Sequence, residues 1–294
     1  MSRPARILGA TLGAVLMAGV ASAQPQPQRP PPGMQWLYGS GEGGAISVQA
    51  YRAFRDYVLA AARHPPRQSV VMAPSATLAA PRFYSCVGRP LAVVLDVDET
   101  ALLNLGFEYD DASHPGRPYD QQRWNQWEQT GAARVTPVPG AVEALAAIRR
   151  AGVTVIFNSN RLAENAAQTE AALNGAGLGP AWHGPNQTWA RTLYLQGDAG
   201  LVSTKDTRRE MIVSYYCVVA MAGDQLGDFT DLFNADGLGV AERRAATTTG
   251  TLARMWGHGW FILPNPVYGS GLRGTIDDVF PADRRWTPTQ GGNR

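Results

Sequence analysis

Apolar runs and amphipathic segments alternate along the chain from about residue 90 onward. Continuous apolar runs of the buried-strand type occupy residues 91–96, 153–158, 192–196, 215–223 and 259–265. Segments with helical spacing of apolar positions separate the first four runs, at residues 139–152, 163–177 and 205–213. This alternation predicts βαβ units, and therefore a doubly wound α/β fold with a mainly parallel sheet.

Two segments depart from this alternation. Residues 104–138 are polar, aromatic and rich in turn residues, and they directly follow the first strand. A long insertion at the carboxyl end of a strand predicts a small, largely helical cap over an active site. Residues 46–64 have helical spacing, so we expect residues 34–89 to form a helical segment that contributes to the cap. The core then spans residues 90–280, and residues 281–294 form a tail.

The N-terminus has the features of a secretory signal peptide. Arg3 and Arg6 precede an apolar run at residues 7–20, and an Ala-Ser-Ala sequence ends at Ala23, where cleavage is expected. The run is shorter than the roughly 20 residues that span a bilayer, and no cysteine follows it to carry a lipid anchor. We therefore expect a periplasmic or secreted protein without integral membrane contact, in which residues 24–33 form a Pro/Gln linker.

The charge balance gives no indication of a nucleic-acid surface. The chain has 26 Lys and Arg residues against 24 Asp and Glu residues, and two of the arginines lie in the signal peptide. The mature protein is therefore close to neutral and has no basic run, so binding of a nucleic-acid polymer is not expected. Lys205 is the only lysine in the sequence.

Acidic residues follow two of the predicted strands. Asp96 and Asp98 end the first strand, and Asp224 and Asp228 follow the fourth. Carboxylates brought together at the carboxyl edge of a sheet repel one another, so Mg²⁺ is the expected counterion. The alternative is that these acids lie in solvated turns and bind nothing.

The acids lie within a series of short motifs along the chain. They are VVLDVDETALLN at 93–104, FNSNR at 157–161, STKDTRR at 203–209, VAMAGDQLGDF at 219–229 and FILPNPVYG at 261–269. Together with WNQWEQTGAARVTPVPGAVE in the cap region, they resemble the haloacid-dehalogenase superfamily, and within it the class C bacterial acid phosphatases, over roughly residues 34–280. The resemblance implies a haloacid-dehalogenase-like fold for the core.

The resemblance also implies roles for individual residues. Asp96 would be the nucleophile that forms an aspartyl phosphate, and Asp98 the general acid and then the general base. Mg²⁺ would be held by Asp96, the backbone carbonyl of Asp98 and Asp224, with Asp228 in support. The phosphoryl group would contact three further residues, which are Ser159, Asn160 and Lys205. Ser159 and Lys205 would be catalytic residues together with Asp96 and Asp98.

The substrate implied by the resemblance is a small phosphomonoester, namely a nucleoside or nicotinamide monophosphate stacked on Trp124 and Tyr268. Trp127 is a further candidate, and the alternative for all three aromatic side chains is that they only pack the cap. The sequence is consistent both with an acid phosphatase of broad substrate specificity and with a 5′-nucleotidase. A rival class is a non-catalytic exported protein that binds or stores nucleotides on the same fold, although the nucleophile Asp96 is present.

The sequence has two cysteines. Cys86 lies ten residues before Asp96, and Cys217 lies seven residues before Asp224. If both strands end at one metal, the cysteines lie near the opposite ends of neighbouring strands. A Cys86–Cys217 disulfide is then a hypothesis, with two free thiols as the alternative.

Overall fold

The computed structural model describes residues 28–184 and 190–288. Helices within these ranges are α1 (Pro32–Gly39), α2 (Gly41–Arg63), α3 (Leu105–Ser113), α4 (Gln121–Thr130), α5 (Ala141–Arg150), α6 (Ala166–Gly175), α7 (Asp206–Tyr215), α8 (Val240–Thr248) and α9 (Ile276–Val279). Strands are β1 (Gln68–Met72), β2 (Phe83–Ser85), β3 (Leu91–Leu95), β4 (Leu102–Leu103), β5 (Thr136–Pro137), β6 (Thr154–Leu162), β7 (Leu193–Gln196), β8 (Cys217–Gly223) and β9 (Trp260–Ile262). The signal peptide predicted at residues 1–23 lies outside the described residues.

Five of the described strands form the central sheet, in the order β7-β6-β3-β8-β9. Every neighbouring pair in this sheet is parallel. Strand order reverses at β3, because the chain continues from β3 to β6 on one side and later to β8 on the other. In open α/β sheets, ligands bind where the order reverses, so the gap between the carboxyl ends of β3 and β8 is the expected binding position.

Apolar side chains cover both faces of the sheet. On one face, Phe54 of α2, Leu145 of α5 and Leu173 of α6 belong to a buried cluster with alternate residues of β3 and β6. On the other face, Val71 of β1 and Ile212 of α7 belong to a second cluster. The predicted doubly wound α/β fold is confirmed.

The N-terminal segment, residues 34–89, contains strands as well as helices. Residues 34–89 are not helical throughout, because β1 and β2 form an antiparallel ribbon after α2. Helix α2 packs mainly against α5 and β8 of the core, and α1 contacts α3 of the cap. The physical reason is that Tyr51, Phe54 and Val58 form one apolar stripe, which is buried on the sheet.

The insertion at residues 104–138 leaves the core through a short antiparallel ribbon. Leu102 of β4 pairs with Pro137 of β5 at its base, and α3 and α4 lie between these strands. Since β4 follows β3 after a six-residue turn, both helices are placed beside the carboxyl end of β3. We call residues 104–138 the cap.

Cys86 and Cys217 form a disulfide. Cys217 begins β8 and pairs in register with Leu91, the first residue of β3. The disulfide therefore lies at the amino end of the central strands, opposite the carboxyl edge. In the described part of the chain, no helix is long and apolar enough to cross a membrane.

Candidate active site

Parallel pairing of β3 and β8 brings Asp96 and Asp224 together. Leu95 pairs in register with Ala222, and the backbone N–H of Asp96 donates to the carbonyl of Ala222 at 3.0 Å. Asp224 directly follows the last residue of β8. Both acids thus lie at the position where the strand order reverses.

Three carboxylates at this position form a compact cluster. Carboxylate oxygens of Asp96, Asp224 and Asp228 lie within 4.8 Å of one another, in a group found among the described residues. Each of these residues is 8% exposed. Buried carboxylates at this spacing form an oxygen donor set that fits a hard divalent cation.

The cluster shifts the pKa values of its acids. Burial raises the pKa of Asp224 to about 7, and the neighbouring Asp228 adds to the effect. Burial also raises the pKa of Asp96 well above its usual range; the Lys205 ammonium opposes this shift and Asp228 reinforces it. A cation at this position would favour the ionised forms of both groups.

Lys205 supplies a positive charge inside the cluster. It is the N-cap residue of α7, where its backbone N–H donates to Asp231 at 2.9 Å. Its Nζ donates to Asp96, and to Asp228 Oδ1 at 2.7 Å. Burial alone would lower the pKa of Lys205, but Asp228 and Asp96 outweigh it, so the pKa is raised and the side chain stays charged.

Further polar side chains fix the orientation of Asp224. Its Oδ1 accepts from Thr100 Oγ1 at 2.8 Å, and its Oδ2 accepts from Asn265 Nδ2 at 2.8 Å and from Gln225 Nε2 at 3.0 Å. Neither Thr100 nor Asn265 was predicted to have a role, although both lie inside motifs of the resemblance. A position within a motif was the signal that could have identified them.

The side chain of Asp98 lies apart from the three clustered carboxylates. Its carboxyl group forms an ion pair with Arg161, at 2.8 Å from Nη2 to Oδ1, and also accepts from Asn104. The metal role predicted for Asp98 concerned its backbone carbonyl, so it does not involve this carboxyl group.

Comparison with known families places the chain in one family of enzymes. Residues 47–271 match the family model of HAD superfamily, subfamily IIIB (Acid phosphatase). The chain belongs to this acid phosphatase family. The predicted haloacid-dehalogenase relationship is therefore confirmed, and the protein is a phosphomonoesterase.

Solved structures of related acid phosphatases have the same fold. The chain is similar to the class C acid phosphatase from Bacillus anthracis, with 26% identity and a TM-score of 0.61, over 81% of this chain and 84% of that chain. A second structure of the class C acid phosphatase from Bacillus anthracis, with tungstate bound, has 25% identity and a TM-score of 0.62 over the same shares of the two chains.

The residues predicted to contact phosphate lie at the end of β6 and the start of α7 of the acid phosphatase. Ser159 is buried, and its Oγ donates to Asp98 Oδ2 at 3.4 Å. The exposed Asn160 accepts from Arg208 Nη2 at 2.5 Å. Lys205 contacts Asp96 in the cluster, so Ser159 and Lys205 each contact a predicted catalytic acid. The Asn160 side chain instead forms a hydrogen bond with Arg208. The phosphate contacts themselves stay predictions.

The aromatic candidates fall into two groups. Tyr268 is 37% exposed, and its hydroxyl donates a hydrogen bond to Glu99. The centroid of the Trp124 ring lies 6.0 Å from the guanidinium carbon of Arg161. Both therefore border the acids. Trp127 is only 9% exposed, and its Nε1 donates to Asn104 Oδ1 at 3.2 Å, so it is a packed residue of the cap.

Glu99 is an unforeseen buried acid beside this candidate site. Its φ of 53° lies in the left-handed region, which residues other than glycine rarely adopt. The carboxylate accepts from the backbone N–H of Asn104 at 2.9 Å and from the Tyr268 hydroxyl. Burial and the neighbouring Asp98 raise the pKa of Glu99 to about 7, while these hydrogen bonds act in the opposite direction.

Proposed function

We propose that this acid phosphatase is an exported, Mg²⁺-dependent enzyme that hydrolyses small phosphomonoesters through a phosphoryl group carried on Asp96. The single observation that carries the proposal is the convergence of Asp96, Asp224, Asp228 and Lys205 at the carboxyl ends of β3 and β8. A carboxylate nucleophile divides one difficult hydrolysis into two easier displacements.

The residues act in two steps. In the first, an oxygen of Asp96 attacks phosphorus, the bond from phosphorus to the alcohol oxygen breaks, and Asp98 gives a proton to that oxygen. In the second, Asp98 takes a proton from water as the water oxygen attacks phosphorus and the bond to Asp96 breaks. Lys205 orients Asp96 throughout, and its charge stabilises the negative charge on the phosphoryl oxygens.

The metal-binding part of the proposal rests on the three clustered carboxylates. Asp96, Asp224 and Asp228 would hold Mg²⁺, with the backbone carbonyl of Asp98 added by the family resemblance. When bound, the ion supplies positive charge that stabilises the transferring phosphoryl group. Asp228 was expected only to support the metal site, but its carboxylate belongs to the cluster as fully as the other two.

The substrate class is proposed from the aromatic border of the site. The Tyr268 ring is partly exposed, and Trp124 packs edge to face on Phe107 with the ring centroids 4.9 Å apart. Flat side chains beside a phosphate-binding position support a substrate with a planar ring, such as a nucleoside or nicotinamide monophosphate. Export is supported by the signal peptide pattern at residues 1–23 and by the disulfide, since disulfides persist mainly in oxidising compartments.

The test is phosphate release from p-nitrophenyl phosphate and from several nucleoside monophosphates, with Mg²⁺ and with a chelator. We expect Mg²⁺-dependent turnover by the wild type, and loss of more than about 1,000-fold for Asp96→Asn, because the nucleophile is removed. Asp236→Asn, an exposed acid outside the cluster, is the matched control and should behave as wild type. A wild type without activity in Mg²⁺, or a fully active Asp96→Asn, would contradict the mechanism.

A further inference from the structure

The carboxyl group of Asp98 is held unevenly, with most of its hydrogen bonds on one oxygen. Its Oδ1 accepts from Arg161 Nη2 at 2.8 Å, from Arg161 Nε at 3.0 Å and from Asn104 Nδ2 at 2.9 Å. Among the described residues, Oδ2 receives only Ser159 Oγ at 3.4 Å and Arg161 Nε at 3.3 Å. Three short bonds saturate Oδ1, so Oδ2 is the oxygen with capacity for another partner.

The orientation of the Asn104 amide is fixed by its neighbours. Its Oδ1 accepts from Arg161 Nη2 at 2.9 Å and from Trp127 Nε1 at 3.2 Å, and both of these groups can only donate. Its Nδ2 faces the carboxylates of Asp98 and Glu99, which accept. A flipped amide would place oxygen against two carboxylates, so this arrangement permits one orientation.

The groups that hold Asp98 are themselves immobilised. Arg161 is 2% exposed and Asn104 is fully buried, whereas the Asp98 side chain is 15% exposed. Arg161 belongs to β6 of the core, and Asn104 is the N-cap residue of α3 in the cap. Trp127 lies on α4, so the core and both cap helices contribute to one hydrogen-bonded network.

We propose that Arg161 and Asn104 are positioning residues, which hold Oδ1 of Asp98 and leave Oδ2 as the oxygen that exchanges the proton. This inference rests on the proposed function, since it specifies how the general acid of that reaction is oriented. In the first step, the Oδ2–H bond breaks and its proton passes to the departing alcohol oxygen as the ester bond to phosphorus breaks. In the second, Oδ2 accepts a proton from the attacking water.

The consequence is a dependence on the leaving group. An alkyl phosphate needs proton transfer to its departing alkoxide, whereas p-nitrophenolate departs with little help. Loss of a general acid typically lowers a rate by about 10²- to 10⁴-fold where its proton is needed. A misplaced Asp98 should therefore slow hydrolysis of alkyl phosphates much more than hydrolysis of p-nitrophenyl phosphate.

The experiment compares kcat/KM for glycerol 2-phosphate with kcat/KM for p-nitrophenyl phosphate, because kcat/KM reports steps only up to departure of the alcohol. For Arg161→Lys and Asn104→Ser we expect the ratio to fall at least about 10-fold below wild type. Asp98→Asn, which removes the proton donor itself, should lower the ratio further. Trp127→Phe keeps an aromatic ring but loses the N–H that orients Asn104, so a smaller fall is expected.

Arg208→Lys is the matched control. Arg208 is equally buried, but it contacts Asn158 and Asn160 of β6 and makes no contact with Asp98. Any general effect of replacing a buried arginine should appear in this variant, and its ratio should equal that of wild type. Circular dichroism establishes folding, and if Arg161→Lys fails to fold, Asn104→Ser and Trp127→Phe decide the question.

A burst of p-nitrophenolate gives an independent measurement. Because Oδ2 also activates the water, the positioning variants should release about one equivalent of p-nitrophenolate per protein rapidly and then turn over slowly. Ratios within two-fold of wild type in all folded variants, or equal losses on both substrates without a burst, would overturn the inference. Failure of the proposed function would instead appear as a wild type without Mg²⁺-dependent activity.

Discussion

Lys205 is surrounded by carboxylates that need a compact positive charge. Its Nζ contacts both Asp96 and Asp228 while the residue is only 7% exposed. A lysine ammonium is a point charge at the end of a slender stem, whereas arginine has a wide planar fork. In a chain where arginine occupies every other Lys or Arg position, this geometry gives a physical reason for one lysine.

Lys205→Arg should therefore lower kcat by on the order of 100-fold, because the guanidinium displaces Asp96 by a fraction of an ångström or more. The charge is retained, so the free energy of unfolding should change little. Steady-state kinetics and urea unfolding measure the two effects. Arg244→Lys, at an exposed position on α8, is the control for an exchange between these residue types. Near-wild-type turnover would show that Lys205 has no specific role.

At the level of elements, α3 of the cap carries a buried acid, Glu108, that the sequence did not single out. Burial raises the pKa of Glu108 to about 8, and the nearby Glu99 and Asp111 add to the shift, while Arg123 opposes it. Its folded pKa is thus above its unfolded value, so the folded state binds the proton more tightly. Stability is highest below the unfolded pKa and falls as the pH rises toward 8.

Glu108→Gln should make the stability of the protein depend less on pH in this range. Between pH 5 and pH 9, the free energy of unfolding should fall by a few kcal/mol more in the wild type than in the variant. Each unit of difference between the folded and unfolded pKa of Glu108 corresponds to about 1.4 kcal/mol. Urea unfolding across this pH range is the measurement, with Glu164→Gln as an exposed control. Parallel curves for wild type and Glu108→Gln would show that Glu108 does not titrate in this range.

The disulfide joins two elements that are distant in the chain. Cys86 and Cys217 are separated by 131 residues, and the bond lies at the amino ends of the central strands. For a loop of this length, the chain-entropy account gives a stabilisation of about 5 kcal/mol.

Cys86→Ala with Cys217→Ala should therefore unfold at lower urea concentration, with a loss of about 3–5 kcal/mol. Activity at 25 °C should remain, because the proposed active site lies at the opposite edge of the sheet. Wild-type protein with the disulfide reduced provides the same comparison without any substitution. A loss below about 1 kcal/mol, or a loss of activity while the protein is still folded, would contradict this account.

For the whole molecule, metal binding should be visible as stability. A ligand that binds only the folded state at 100 times its Kd adds about 2.7 kcal/mol, which for a protein of this size raises Tm by about 5 °C. Wild type in Mg²⁺ should therefore melt above wild type in chelator, and Asp224→Asn should lose the difference. The same ionic strength of NaCl is the control. Equal melting temperatures would show that the carboxylate cluster does not hold Mg²⁺.

Local patterns predicted much of this protein. The five central strands, their helices and the cap insertion could be placed because apolar periodicity and turn residues act over short stretches of chain. Asp96, Asp98 and Asp224 could be identified as candidates because each follows a strand. The surface that α2 covers could not be predicted, because spacing predicts that a helix has an apolar face but not which neighbour covers that face.

The sequence by itself determined the elements, the acids at the strand ends and the lone lysine as a residue of interest. Tertiary structure decided that β3 and β8 are neighbours, and so that Asp228 joins the cluster of Asp96 and Asp224. It also decided that Arg161 and Asn104 meet at Asp98, although 57 positions separate them along the chain. The reason is that hydrogen bonds within an element follow from nearby residues, whereas contacts between elements depend on how all the buried faces pack together.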